Sequence, residues 1–184
     1  IVYCWRQNAT NKKRRLSINL ATAFFVPKPF TPFQWEKQTS PEEYLRRVHL
    51  LQSCLTARGV DYRYHESDLS RLEAVLARGD RRLSKVLLRA HALGCKLDGW
   101  DEYFRYDLWM QAFSDCGVDP EFYTTRGFAE DEILPWQTID IGVSRDFFLR
   151  ERALAYESVT TPDCRTKCAG CGAWSLSERG VCDE

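Results

Sequence analysis

The sequence predicts an α/β fold that is predominantly helical. One segment alternates as a β-strand does, five segments have the apolar spacing of amphipathic helices, and the end of the chain is rich in cysteine and poor in apolar residues. The chain has 184 residues and is 44% hydrophobic, which is enough for a folded domain with a core. We expect three parts: residues 1–39 with the strand and a proline-rich strap, residues 40–158 with the helices, and residues 159–184 as a cysteine-rich tail.

The strand is predicted at residues 16–26. Every second residue from Leu16 to Phe24 is bulky or β-branched, and the residues between them are small or polar. This period of two is that of a strand with one bulky face, which suits the wall of a barrel. Because a single strand of this length is not stable alone, we expect its partners to lie upstream.

A proline-rich strap follows at residues 25–35, with the sequence FVPKPFTPFQW. Its three prolines fix an extended path, and four aromatic residues lie along that path. One interpretation is a strap that packs across the core. The other is a loop over the mouth of a site, with Lys28 and Gln34 as the polar contacts of a ligand.

The first helix has clear signals at both ends. Ser40 is the predicted N-cap, Pro41 takes the first helical position, and Glu43 completes a capping box. Gly59 is the predicted stop. A short strand is predicted next, at residues 61–65.

The other four helices are defined by apolar spacing and by capping residues. They are predicted at about residues 67–78, 81–93, 101–115 and 145–155, and Ser144 is the N-cap of the last one. Residues 118–143 lack a period and contain two prolines and a glycine, so we expect irregular structure there.

Arg78, Arg81 and Arg82 lie at the corner between the second and third of these helices. Planar guanidinium groups and the N-terminal amides of a helix can together bind a phosphate or a carboxylate. The alternative is a set of salt bridges to three nearby acids, Glu66, Asp68 and Glu73.

The tail carries the one constellation of residues that indicates chemistry. Cys164, Cys168 and Cys171 have the spacing C-x-x-x-C-x-x-C, and Cys182 follows. Such short spacings let one turn direct several sulfurs at a single metal centre. An iron–sulfur cluster fits three close thiolates, whereas zinc prefers four ligands and would use Cys182 as the fourth. Spacing alone leaves both metals open, and a tail that binds nothing is the third alternative.

Charge and cysteine content limit which classes of partner and which cellular compartment we expect. The formal net charge is zero, which argues against nonspecific nucleic-acid binding and against a role on a membrane surface. No apolar run reaches the roughly 18 residues of a membrane span, and we expect no signal peptide. Eight cysteines are few for a disulfide scaffold, and Cys54, Cys95 and Cys116 are predicted to be reduced core thiols, so we expect a cytoplasmic protein.

Five strings, in this order, resemble the C-terminal part of one protein family. They are FVPKPFTPFQW at 25–35, LEAVLARGDRRL at 72–83, GCKLDGW at 94–100, LPWQTIDIGV at 134–143 and TPDCRTKCAGC at 161–171. The family consists of radical SAM proteins that carry a cobalamin-binding-like domain ahead of the radical SAM barrel. The resemblance covers nearly all of residues 16–171. Phe30 departs from the family pattern, because a histidine is frequent at that position.

This resemblance implies a fragment of a longer protein, which agrees with a chain that begins at Ile1. Residues 16–26 would be a late strand of the βα barrel, and residues 40–158 a five-helix extension. The barrel and the cobalamin-binding-like domain would be the upstream partners within the same protein, and S-adenosylmethionine and cobalamin are implied only for that full-length protein. No catalytic residue can be carried over.

The tail spacing is also the one with which radical SAM enzymes hold their 4Fe–4S cluster. Only thirteen residues follow Cys171, however, and a barrel of this kind needs roughly 200. The resemblance therefore implies an accessory iron–sulfur cluster on the tail. We expect the C-terminal portion of a radical SAM enzyme, with a non-catalytic helical interaction module that carries a structural zinc site as the alternative.

Overall fold

The computed structural model describes residues 1–10 and 16–173, and this part of the chain is mainly helical with a small parallel sheet. In chain order the elements are α1 (Val2–Asn8), β1 (Ile18–Thr22), α2 (Pro41–Cys54), β2 (Val60–Tyr64), α3 (Ser67–Arg78), α4 (Leu83–Leu93), α5 (Tyr106–Asp115), a 3-10 helix (Pro120–Phe122) and α6 (Arg145–Tyr156). The prediction of a predominantly helical α/β chain is therefore confirmed. Cys182 lies outside the described residues.

The described chain divides into two compact units. The first contains Ile1–Val26 and Thr39–Glu73, and the second contains Pro27–Gln38 and the described residues from Ala74 onward. None of the helices in residues 1–10 and 16–173 is long and apolar enough to cross a membrane.

The first unit is built on a β1–α2–β2 crossover. β1 and β2 are parallel, with Ile18 opposite Val60 and Thr22 opposite Tyr64. Residues alternate between half-buried and exposed along both strands, as the period of two predicts. β1 thus has a partner within this chain, β2, because a helix long enough to reverse the chain lets two strands of one short segment pair in parallel.

The core of the first unit is aromatic. The ring of Phe24 stacks on that of Tyr44 with centroids 4.3 Å apart, and Val48 completes the buried cluster. The Tyr44 hydroxyl donates to the carbonyl of His65 at 2.9 Å, and burial raises the pKa of Tyr44. This hydrogen bond ties α2 to the residue that follows β2.

The predicted start of α2 is confirmed, but its predicted end is wrong. The Ser40 hydroxyl accepts a hydrogen bond from the amide of Glu43 at 3.3 Å, as in a capping box. The helix ends at Cys54 and not at Gly59. Gly59 serves the sheet instead: its φ is 90°, and its carbonyl accepts from the amide of Ile18 at 2.8 Å, one residue before β2.

We expect Glu43 to titrate far below an ordinary glutamate. Its carboxylate accepts hydrogen bonds from Arg46 Nε at 2.6 Å and Arg47 Nε at 2.8 Å, and these bonds lower the pKa of Glu43 from 4.5 to about 2. The stabilisation from these pairs is therefore present above pH 4.5 and lost as the pH falls towards 2. Side-chain carboxyl NMR should give a midpoint near 2 in the wild type and near 4.5 in the Arg46→Ala/Arg47→Ala double variant. A wild-type midpoint near 4.5 would contradict the two ion pairs.

In the second unit, α4 packs against α5. The contact buries Val86 and Ala90 of α4 and Ala112 and Phe113 of α5. The left-handed Gly94 ends α4, as predicted. The predicted start of α5 at 101 is wrong, because residues 97–103 form successive turns whose amides bond to the third residue back, at Trp100 and Tyr103.

A second aromatic cluster is formed by the strap, the segment before α6 and the first turn of α6. It contains five buried residues: Trp35, Phe128, Leu134, Trp136 and Phe148. The predicted α6 is confirmed with its cap, since the Ser144 hydroxyl accepts from the amide of Phe147 at 3.2 Å.

One helix was missed, and one predicted environment is wrong. Helix α1 was not predicted, because residues 2–8 have no apolar period, and none of its residues is buried. Cys54 is exposed at the last position of α2 and is not a core thiol, whereas Cys95 is buried, as predicted.

Candidate functional site

Two of the tail cysteines lie in consecutive turns of the same kind. Cys168 Sγ accepts from the amide of Gly170, and Cys171 Sγ accepts from the amide of Ala173, each at 3.4 Å. Gly170 and Gly172 supply the positive φ angles, 65° and 94°, that bring these amides back towards sulfur. Backbone amides that donate to sulfur are the hydrogen bonds that orient and tune metal-bound thiolates. In residues 168–173, two successive cysteine sulfurs therefore each accept a backbone amide.

The turns are fastened to α6 and to the loop before it. The amide of Ser144 donates to the carbonyl of Cys171 at 2.8 Å, and the Arg150 guanidinium donates to the carbonyl of Ala169. Gly172 lies so close to the loop that an added Cβ would stand 2.9 Å from the carbonyl oxygen of Gly142. Earlier in the tail, the Thr161 hydroxyl binds the carboxylate of Glu151 at 2.6 Å. Helix α6 and the loop before it therefore anchor the part of the tail between residues 161 and 172.

Cys164 lies in a separate turn. The carbonyl of Asp163 accepts from the amides of Thr166 and Lys167, and the Arg165 guanidinium lowers the pKa of the Asp163 carboxyl. The Cys164 side chain is exposed. Among residues 1–10 and 16–173, no three His, Cys, Asp or Glu side chains are close enough to hold a metal ion. The structure brings Cys168 and Cys171 into one pair of turns and leaves Cys164 apart from them.

A groove of about 280 Å³ separates α6 from the tail, and Cys168 lies in its wall. Arg150 and Lys167 line the same groove, opposed by one acid, Glu151. The groove therefore has an excess of positive charge beside the thiol. Sequence reasoning missed Arg150, which no spacing rule connects to the cysteines.

The three predicted arginines do not share one accessible surface. Arg78 is fully buried, whereas Arg81 and Arg82 are exposed. Arg82 binds Asp80 with Nη2 and Oδ2 2.7 Å apart, which lowers the pKa of Asp80, and its guanidinium lies 4.8 Å from the centre of the Phe122 ring. A salt bridge is thus present at this corner, between Arg82 and Asp80, an acid that was not among the three expected partners.

Arg78 connects the end of α3 to the strap. Its Nη1 donates to the carbonyl of Glu36 at 2.5 Å, and its guanidinium stacks on Phe128 at 4.5 Å from the ring centre. Burial, and then the charge of Arg126, lowers the pKa of Arg78 to about 10, so the group is charged at neutral pH. Within the described residues its Nε and Nη2 have no hydrogen-bond partner.

The strap packs into the core, as the first interpretation predicts, and it also borders a cavity. Trp35 is buried in the core, and a cavity of about 230 Å³ lies between the strap and residues 132–148. Gln34 lines this cavity; its Oε1 accepts from Trp136 Nε1 at 2.7 Å and from the amide of Phe30 at 3.3 Å. Lys28 is exposed and does not line the cavity. Trp136 was missed as a site residue, although it lies in one of the five family strings.

Comparison with protein-family models, with curated proteins and with solved structures finds no match.

Proposed function

We propose that this chain is the C-terminal portion of a radical SAM iron–sulfur enzyme, and that its tail binds an accessory 4Fe–4S cluster. The ligands are Cys164, Cys168 and Cys171, with Cys182 as the candidate fourth. The observation that carries this proposal is the pair of turns in which Cys168 and Cys171 each accept a backbone amide at 3.4 Å.

The chemistry of the donor set favours iron and sulfide. Three thiolates and a cluster carry net negative charge, and amides donated to the sulfurs together with nearby cations offset that charge. Arg150 and Lys167 in the groove beside Cys168 are such cations. Binding brings Cys164 to the pair of turns, which its exposed position permits.

Two features of the fold support the family assignment. A parallel β1–α2–β2 unit is the repeating element of a βα barrel, so β1 fits a late barrel strand. Gln34 of the string 25–35 hydrogen-bonds Trp136 of the string 134–143, which lies 102 positions later in the chain. Strings that resemble one family therefore meet in one packed region. The upstream barrel and cobalamin-binding-like domain are the proposed partners, and the cytoplasm is the proposed compartment.

The alternative is a helical interaction module with a structural zinc site. A C-x-x-C pair followed by glycine, with amides donated to sulfur, also suits zinc, which requires four ligands and would need Cys182. The two functions differ in which metal the tail retains.

The experiment is anaerobic reconstitution of the full chain with iron and sulfide, followed by measurement of iron, sulfide and zinc per chain. We expect about four irons with matching sulfide, as in a 4Fe–4S cluster, and their loss in the Cys164→Ser/Cys168→Ser/Cys171→Ser variant. Cys54→Ser is the matched control, since Cys54 is also exposed but lies at the end of α2, and it should retain the iron. One tightly held zinc without iron would replace the enzyme proposal with the structural module. No metal in any of these proteins would contradict both.

A further inference from the structure

We propose that the cavity between the strap and residues 132–148, called the strap pocket here, binds a flat, uncharged heteroaromatic ring of nucleobase size. This site is separate from the cysteines of the tail and does not depend on a metal there.

The walls are aromatic and partly pre-formed. Four rings line the strap pocket, those of Phe30, Trp35, Trp136 and Phe148, and the cavity of about 230 Å³ matches one small ring system. Small-molecule sites are concave and mostly apolar, with a few placed polar groups. Aromatic faces favour stacking on another flat ring over contact with a flexible aliphatic chain.

Two residues that line this pocket carry a side-chain donor without an acceptor in the described part of the chain, and that of Trp35 is buried. Trp35 is 2% exposed, and its indole Nε1 has no hydrogen-bond partner in the described part of the chain. Gln34 is 4% exposed, and because an indole Nε1 only donates, the Gln34 atom bonded to Trp136 must be the amide oxygen. That oxygen also accepts from Phe30, so Nε2 of Gln34 remains, and it donates to no group in residues 1–10 and 16–173.

Unmet buried donors are costly, so a ligand with matching acceptors gains affinity from them. Carbonyl oxygens and ring nitrogens of heteroaromatic rings are such acceptors. The strap pocket therefore combines flat aromatic walls with residues that carry unpaired donors. Benzene-like rings would leave both donors unpaired.

The charged groups of the pocket are already engaged, which favours an uncharged ligand. Glu132 is bound by two hydrogen bonds from Arg126, at 2.8 and 2.9 Å. Asp140 Oδ1 accepts from the amide of Gly142 at 2.8 Å. The Arg145 guanidinium lies 6.0 Å from the centre of the Trp35 ring, so a protein cation already occupies a position over this aromatic wall.

The backbone at the edge of the pocket is strained. Phe30 has a φ of 57°, which is uncommon for a bulky residue, and its amide is held by Gln34. Such conformations persist only where surrounding contacts fix them, and they cluster at ligand-binding sites. Here the same glutamine side chain holds the strained residue and presents the free donor.

The test uses the full chain, with adenine as the probe. Tetramethylammonium tests the alternative that the aromatic walls bind a cation. We expect saturable binding of adenine by calorimetry and by saturation-transfer NMR, and no binding of tetramethylammonium. Gln34→Glu keeps an acceptor for Trp136 and Phe30 but removes the Nε2 donor, and should weaken adenine at least about tenfold, the value of one buried hydrogen bond.

Ile139→Ala and Ile133→Ala form a matched pair. Both isoleucines are exposed and lie six positions apart, but only Ile139 lines the strap pocket. Ile139→Ala should weaken adenine several-fold, and Ile133→Ala should leave it unchanged. Thermal melting confirms that each variant is folded. Absence of adenine binding, tighter binding of tetramethylammonium, or equal affinity of the wild type and a folded Gln34→Glu variant would overturn the proposal.

Discussion

Replacement of Arg78 by alanine is expected to lower the free energy of unfolding by about 3–5 kcal/mol, as for the loss of a large buried side chain. The side chain is fully buried, and its guanidinium touches two segments that are distant in sequence, the carbonyl of Glu36 and the ring of Phe128. Truncation leaves a cavity, removes the stacking, and leaves the Glu36 carbonyl without this donor. The arginine thus acts as a structural clamp between α3, the strap and residue 128.

Two further variants separate volume from charge. Arg78→Met retains most of the buried volume and removes the buried guanidinium, whose pKa burial has lowered to about 10. It should therefore lower the free energy of unfolding by less than half as much as Arg78→Ala does. Arg81→Ala is the matched control, because Arg81 is exposed in the same segment, and it should change stability by less than about 0.5 kcal/mol. Urea denaturation measures all three. Equal, small losses for Arg78→Ala and Arg81→Ala would contradict the clamp.

Local signals predicted the helices well. Ser40 and Ser144 cap their helices, and Gly94 ends α4, because each of these effects depends on a few adjacent residues. The start of α5 failed for the same reason: Asp101 is a good cap by type, but turns at 97–103 use the local backbone amides. Capping and helix propensity show only that a helix can begin at a residue. Whether it does depends on other local hydrogen bonds, which can favour turns instead.

Contacts between distant segments were not predicted. The alternation of residues 16–26 indicates a strand but carries no information on its partner, which the fold supplies 42 positions later at Val60. Arg78 belongs by its sequence to a basic corner, yet it is buried because Phe128 and Glu36 surround it. Charge clusters in a sequence do not show which member lies beneath neighbouring elements.

In the candidate sites, too, features that depend on adjacent residues could be predicted, and contacts between distant residues could not. The spacing of Cys168 and Cys171 predicts a turn with two sulfurs on one side, and the glycines at 170 and 172 permit the amides that bond to those sulfurs. Of the residues that line the strap pocket, only those of the strap itself could be predicted. Gln34 was a candidate from its place in the strap, whereas Trp136, its partner at 2.7 Å, lies 102 positions away.

Gly59→Ala is expected to cost about 3 kcal/mol or more. The residue has a φ of 90°, which is unfavourable by roughly 1–2 kcal/mol for a side-chain-bearing residue. In addition, an added Cβ would stand 2.3 Å from the carbonyl oxygen of Leu16, a backbone atom that cannot rotate away. The steric conflict adds about 1–3 kcal/mol. It should also disrupt the hydrogen bond from the Ile18 amide to the Gly59 carbonyl, with which the parallel sheet begins.

Gly94→Ala separates these two contributions. Gly94 has a similar φ of 105°, but nothing lies within 4 Å of its added Cβ, so only the conformational cost of roughly 1–2 kcal/mol should appear. Urea denaturation gives the two losses, and hydrogen exchange gives their location. The amide of Ile18 should lose protection in Gly59→Ala and keep it in Gly94→Ala, because only Gly59 accepts from that amide. Equal losses in stability, with Ile18 still protected in Gly59→Ala, would mean that backbone conformation alone selects glycine at residue 59. A larger loss confined to Gly59→Ala, with exchange at Ile18, would place the requirement in the close approach of the two strands where the sheet begins.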